Sequence, residues 1–242
     1  MMQSVFTSVE ALTPRQCAEV GATVHLLKNF WSQVNPPSNF YTLGAASYIE
    51  FCGREEARVE YYEKARRYNP LLKEYFSGLL ENVRGTLERT LGGPVRYMEE
   101  FAIPGFHIWL TDAIPTRQTA SVHFDLQYQR LNWPSPGEVE YDKPVSFTLP
   151  IKLPKSGGGV NVWDLCYGEI TSLVERGVPV DVDEMREQRT RFQYEYSLGR
   201  LVMHSGHFLH QIAPVPEVEP GDERITLQGH ALRCGGEWRV YW

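Results

Sequence analysis

His123 and Asp125 stand two apart in the stretch SVHFDLQYQ, residues 121–129. The stretch reads as a β-strand. A strand turns alternate side chains to opposite faces, so the imidazole and the carboxylate point the same way and Phe124 points the other. Two ionisable groups on one face are either solvated or hold something. A second cluster, RLVMHSGHFLHQIAPV at 200–215, carries His204, His207 and His210. HSG reads as a turn after one strand, and HQIAP as the start of the next. His210 follows His123 by 87 residues, which leaves room for several strands between them. His-x-Asp with one distant His supplies three ligands on one face of an octahedron and leaves three positions open to reactants. That is the ligand set of non-haem Fe(II) chemistry. Taken alone, an HxD pair is also met as a plain surface pair.

The third piece is GDERITLQGHAL, residues 221–232. Arg224 follows His210 by 14 residues, enough for one strand out, a turn through Pro220-Gly221-Asp222, and the return. Arg224, Thr226 and Gln228 share a face by alternation. A guanidinium offers a bidentate fork to a carboxylate, and a hydroxyl two residues on adds one more donor. An arginine turned into a barrel needs an anion, because an unpaired buried charge is costly.

The elements that must position these residues fall into two parts. The first hundred residues read as helical. In LTPRQCAEVGATVHLLKNFWSQV, Thr13 is suited to the N-cap and Pro14 to the first helical position, with Val20, Val24, Leu27 and Phe30 at roughly helical spacing. Two or three further helices follow to residue 91, with Pro70 expected to break them and Gly92-Gly93 to stop them. From Val95 the grammar changes to short β-branched and aromatic stretches between Gly, Pro and Asp. Candidate strands are 96–103, 105–112, 119–129, 144–153, 159–165, 191–198, 199–205, 210–216, 224–233 and 237–242. So many short strands point to a sandwich or barrel. Residues 168–190 are polar and part-helical and read as an insertion at one end of it. The expected division is a helical part, 1–94, packing on a β core, 95–242, as one structural unit.

Composition bounds the partners. The chain has 242 residues, a net charge of −6 and 42% hydrophobic residues, so it can bury a sizeable core and carries no nucleic-acid footprint. The most basic run, KARRYNPLLK, reads as a solvated helix face. Cys17, Cys52, Cys166 and Cys234 form no CxxC pair, which suits free thiols in a reducing cytoplasm. No signal peptide and no apolar run of about 18 residues is present, so no membrane partner is expected.

HFD at 123–125, SGGG at 156–159, HSGHFLHQIAP at 204–214 and RIT at 224–226 occur in an order that resembles the Fe(II)- and 2-oxoglutarate-dependent dioxygenases. The resemblance covers about 95–242. It implies an α+β fold, a double-stranded β-helix (jelly-roll) core flanked by the N-terminal helices. It implies Fe(II) on His123, Asp125 and His210, and 2-oxoglutarate with its far carboxylate on Arg224 and Thr226. His204 matches a frequent non-ligand histidine, and His207, a rival for the distal position, lies in the turn and is expected to be exposed. With O2, such an enzyme decarboxylates 2-oxoglutarate to succinate and CO2 and oxidises an unactivated C–H bond. Halogenating relatives have Gly or Ala in place of the carboxylate; Asp125 is retained, which favours hydroxylation. The expected substrate is a small molecule, an amino acid derivative or natural-product intermediate, met by His107, Gln127 and Trp163, with the N-terminal helices and the 168–190 insertion as pocket walls. Trp109 reads as core and His230 as structural. A homodimer stays open. So do an isopenicillin-synthase-like oxidase without 2-oxoglutarate, a peptide or protein hydroxylase, and a cupin-like binding domain without turnover.

Overall fold

The computed structural model describes residues 5–51 and 57–242; Cys52 lies outside them. The chain begins with strand β1 (Phe6–Glu10), helix α1 (Pro14–Leu26), strands β2 (Ser32–Gln33) and β3 (Phe40–Leu43), a short helix α2 (Ser47–Glu50) and a long helix α3 (Ala57–Leu91). It continues through β4 (Val95–Tyr97), β5 (Gly105–Leu110), β6 (Val139–Lys152) and β7 (Gly159–Cys166). Helices α4 (Tyr167–Glu175) and α5 (Val182–Glu187) follow, then β8 (Arg191–Glu195), β9 (Arg200–Ser205), β10 (Phe208–Ala213), β11 (Glu223–Cys234) and β12 (Glu237–Tyr241).

Local chemistry sets the helix ends. Gln16 donates its backbone N–H to the Thr13 hydroxyl at 3.3 Å, and the Gln16 side chain accepts from the Thr13 N–H at 2.9 Å, a complete capping box with Pro14 behind it. Gly92, at φ 70°, closes α3 in the left-handed conformation. Two expectations fail here. Phe30 lies beyond the helix in a 3-10 turn and is 40% exposed. Pro70 does not break α3; the span does hold two helices, but they meet at a kink at Phe76. A proline inside a helix costs about 3 kcal/mol. On this helix Tyr61, Ala65, Tyr68, Leu72, Leu79 and Val83 are all buried, and each large apolar side chain gains about 1.5–3 kcal/mol from burial, so packing wins.

Among the described residues the larger sheet has nine strands, in the order β1-β9-β6-β11-β5-β3-β2, with β12 on β11 and β4 on β12. The smaller sheet runs β10-β7-β8. The N-terminal part is therefore not wholly helical. β1 pairs with β9 and β3 with β5, so it extends the large sheet at both sides. These strands are short and lack strict alternation, which hid them in the sequence.

One face of the large sheet packs on the helices: Phe106, Ile108, Phe147, Leu149, Ile225 and Leu227 meet Val24, Leu72, Leu79 and Val83. The other face looks toward the small sheet across Val160, Val162, Tyr196 and Val202. This is a jelly roll with helices on one outer face. The alternation that buries Ile225 and Leu227 outward turns Arg224, Thr226, Gln228 and His230 inward. The 168–190 segment forms α4 and α5, which join β7 to β8. No helix among the described residues is long and apolar enough to cross a membrane.

Candidate metal centre

The segment read as strand 119–129 is not a regular strand. Its ladder reduces to one antiparallel bridge, His123 with His210, and the chain turns into a 3-10 helix at Gln127–Arg130. The bridge suffices to orient the side chains. His123 donates its N–H to the His210 carbonyl at 3.0 Å, and His210 donates to His123 at 2.9 Å. Asp125 N–H then donates to Gly206 O at 2.8 Å, so the carboxylate faces the turn between β9 and β10. The distal histidine lies within β10, which starts two residues earlier than the sequence suggests.

The result is a convergence: ligand atoms of His123, Asp125 and His210 all lie within 4.8 Å of one another. His210 Nε2 is 3.2 Å from Asp125 Oδ2, and His123 Nε2 is 3.7 Å from Oδ1. Each imidazole is aimed by its other nitrogen. His123 Nδ1 meets Ser121 O at 3.1 Å and His210 Nδ1 meets Phe208 O at 2.8 Å. A carbonyl only accepts, so both Nδ1 atoms carry hydrogen and both Nε2 atoms present a lone pair to the centre. Asp125 and His210 are buried, while the His123 side chain is 40% exposed, so the centre opens on that side. Burial and the neighbouring His210 push His123 down to about 4. Burial opposes charge on Asp125 and His210 as well, but each outweighs that for the other, holding the carboxyl well below its usual range and the imidazole above its own. Two imidazoles and one anionic oxygen donor fit a hexacoordinate Fe(II) that keeps three positions open.

Arg224 is 2% exposed. Its Nη2 reaches Gly159 O at 3.5 Å, Nε and Nη1 have no partner among the described residues, and Tyr196 lies over the guanidinium at 5.6 Å. A buried cation with two unfilled donors matches an anion between the sheets. The SGGG turn sits against it, with the position of a Gly158 Cβ 3.7 Å from Arg224 Nε, and a cavity of about 320 Å³ lined by Gly157, Gly158, Tyr196 and Val215 lies beside it. Thr226 is fully buried on the same face, and its hydroxyl accepts from Gln228 Nε2 at 3.2 Å.

The other expected residues scatter. His107 faces the same interior, directly across from Thr226. It is buried, its Nε2 contacts the Tyr48 hydroxyl, and burial with Arg224 nearby pushes it down to about 3, so it is neutral. Tyr48 escaped the sequence reading because it rides on a four-residue helix with no motif. Gln127 is buried two residues past Asp125, with Nε2 unpaired among the described residues. Trp163 follows Val162, the partner of His210, and so turns to the opposite face of the small sheet. It packs there with Leu165, Ile170 and Leu209, under Arg186 of the insertion at 5.7 Å. His204 lies ring to ring with His210 at 4.8 Å but outside the ligand set. His207 is half-buried rather than exposed, bonded through Nε2 to the Tyr128 hydroxyl at 2.7 Å.

Comparison with solved structures places this architecture. An N-substituted L-amino acid dioxygenase from Burkholderia ambifaria AMMD superposes with a TM-score of 0.50 at 14% identity, over 92% of this chain and 91% of that one. Its complex with alpha-ketoglutarate gives 0.51 over the same shares at 14% identity. The non-haem alpha-ketoglutarate-dependent epimerase SnoN from nogalamycin biosynthesis gives 0.52 at 10% identity, over 96% of this chain and 81% of that one. The chain thus has the jelly-roll fold of 2-oxoglutarate-dependent oxygenases. No family model and no curated protein matches its sequence.

Proposed function

We propose that the chain is an Fe(II)- and 2-oxoglutarate-dependent oxygenase that hydroxylates an unactivated C–H bond of a small molecule. The observation that carries this reading is the convergence of His123, Asp125 and His210 in a fold that also buries Arg224 with two unfilled donors. His123 Nε2, the Asp125 carboxylate and His210 Nε2 would hold the iron. Arg224 would take the far carboxylate of 2-oxoglutarate through its fork, with the Thr226 hydroxyl beside it. When bound, the iron with 2-oxoglutarate and O2 supplies C–H oxidation with release of succinate and CO2. The chain's own work is to bind the dianion, orient it from the large sheet, and exclude water from the interior between the sheets.

Asp125 supports hydroxylation over halogenation, because the carboxylate fills the position chloride would need. His107 and Gln127 remain candidates to meet the substrate, His107 as a neutral hydrogen-bonding ring. The two neighbours differ in reaction, one a dioxygenase of N-substituted amino acids and one an epimerase, so product analysis decides the outcome on the substrate. The free thiols of Cys17, Cys166 and Cys234 support placing this activity in the cytoplasm.

The test is anaerobic. Fe(II) and then 2-oxoglutarate are added to the protein and the visible spectrum recorded. A weak metal-to-ligand charge-transfer band that needs roughly 10–100-fold more 2-oxoglutarate to appear in Arg224→Ala supports the reading. Bound iron with no band would exclude 2-oxoglutarate and move the reading to an oxidase.

A further inference from the structure

Behind Asp125 stand two inward side chains that the ligand set does not use. Ser146 of β6 and His230 of β11 are direct cross-strand partners, and both are buried. Ser146 Oγ is 2.5 Å from Asp125 Oδ2 and 3.1 Å from His230 Nδ1. His230 Nδ1 is itself 3.7 Å from the same oxygen. Counting protons gives the chain a direction. The carboxylate only accepts, so Ser146 spends its single hydrogen on Oδ2. The serine oxygen can then only receive, so His230 Nδ1 carries hydrogen and donates to it. Nε2 of His230 is left as a buried lone pair without a partner among the described residues.

The two oxygens of Asp125 are therefore unlike. Oδ2 receives Ser146 and has His210 and His230 beside it. Oδ1 faces His123 Nε2 at 3.7 Å, and among the described residues no hydrogen bond reaches it. We infer that Ser146, backed by His230, is a positioning residue that restricts Asp125 to coordination through one oxygen. The inference rests on the iron reading above. Its consequence is a count of open positions. Two imidazoles and one carboxylate oxygen leave three of six positions, one more than a chelating co-substrate occupies. A two-oxygen carboxylate would fill that extra position. The hydroxyl thus preserves reactivity rather than affinity, and its removal has a signature that general damage lacks.

The experiment compares wild type with Ser146→Ala, Ser146→Thr, His230→Asn and His230→Leu. Iron content, thermal midpoint, the anaerobic charge-transfer band and substrate-free formation of succinate from 2-oxoglutarate are read for each. Ser146→Ala is expected to retain iron, to shift the band and to lose about 10–100-fold in succinate formation, the range for removing a group that orients a ligand. Ser146→Thr keeps the hydroxyl and restores both. His230→Asn keeps an N–H near the Nδ1 position and stays close to wild type, whereas His230→Leu follows Ser146→Ala. A band and rate unchanged in Ser146→Ala overturn the inference. So does loss of iron in step with activity and thermal midpoint, which makes the pair merely structural. A wild-type protein that binds iron but shows no band overturns the co-substrate reading first, a separate failure.

Discussion

Gly206 leaves no room for a side chain against Asp125. A Cβ at position 206 would stand 2.9 Å from the Asp125 Cβ and 2.9 Å from Ser146 Oγ, closer than side-chain carbons approach. The same glycine's carbonyl receives the Asp125 N–H, so backbone and side chain of the aspartate are both set by this turn. Gly206→Ala is expected to push the carboxylate off its line. Overpacking of this kind costs about 1–3 kcal/mol, and a misplacement of about 1 Å costs on the order of 100-fold in rate. Iron content and succinate formation of the variant, set beside its melting curve, check this; a variant that folds and loads iron like wild type would refute it.

Single removal of a ligand tests the centre itself. His123→Ala, Asp125→Ala and His210→Ala are each expected to lose iron retention, measured as bound iron per chain after gel filtration. His207→Ala is expected to keep it, since His207 is spent on Tyr128. Normal iron binding by His210→Ala would move the distal ligand elsewhere.

On the proposed function, Arg224 is expected to separate co-substrate binding from metal binding. Its replacement by Ala removes a charge-assisted contact of about 1.5–3 kcal/mol, or roughly 10–100-fold in the dissociation constant for 2-oxoglutarate. Iron content should not change. Arg224→Lys keeps charge but not the fork and is expected to fall between the two. Titration of the charge-transfer band with 2-oxoglutarate gives all three constants.

A pH dependence of stability is expected from Glu223, next to the clamp. Burial opposes its ionisation, but hydrogen bonds from Lys152 at 2.8 Å and His25 at 2.9 Å outweigh that and hold the carboxyl below its usual value. A carboxyl lowered on folding contributes stability above its unfolded value, about 4.3, and that contribution is lost as pH falls through the folded value. Glu223→Gln should therefore melt below wild type at pH 7, by about 1 kcal/mol or less as for other partly exposed pairs. The two melting curves should converge as the pH is lowered past 4. A gap that persists at pH 3 would assign the effect to packing.

The centre was legible where its geometry is local. His123 and Asp125 are two residues apart, and Arg224 and Thr226 likewise, so alternation alone gave their shared direction. His210 stands out from its rival His207 through the family resemblance, which combines the glycine turn before it with the Arg224 that follows. What failed was whatever depends on a third element. The residues of the HxD segment suit a strand, yet it pairs at one bridge only. Trp163 was read toward the pocket, but a strand has two faces, and which one is inner is decided by the partner strand. Ser146 and Tyr48 carry no sequence signal, since a serine in a strand and a tyrosine in a short helix are ordinary. Pro70 misled because a propensity of about 3 kcal/mol is smaller than the summed burial along that helix.

His210 belongs to the small sheet and Arg224 to the large one; among the described residues no strand of one pairs with a strand of the other, and the Arg224 Nη2 bond to Gly159 O is a side-chain crossing between them. The gap between them is kept largely by side chains such as Val160, Val162, Tyr196 and Val202. On the proposed function, a dianion held by iron at one end and by Arg224 at the other would brace a joint that is otherwise held largely by packing. Loading it is then expected to slow amide exchange along β7 and β8.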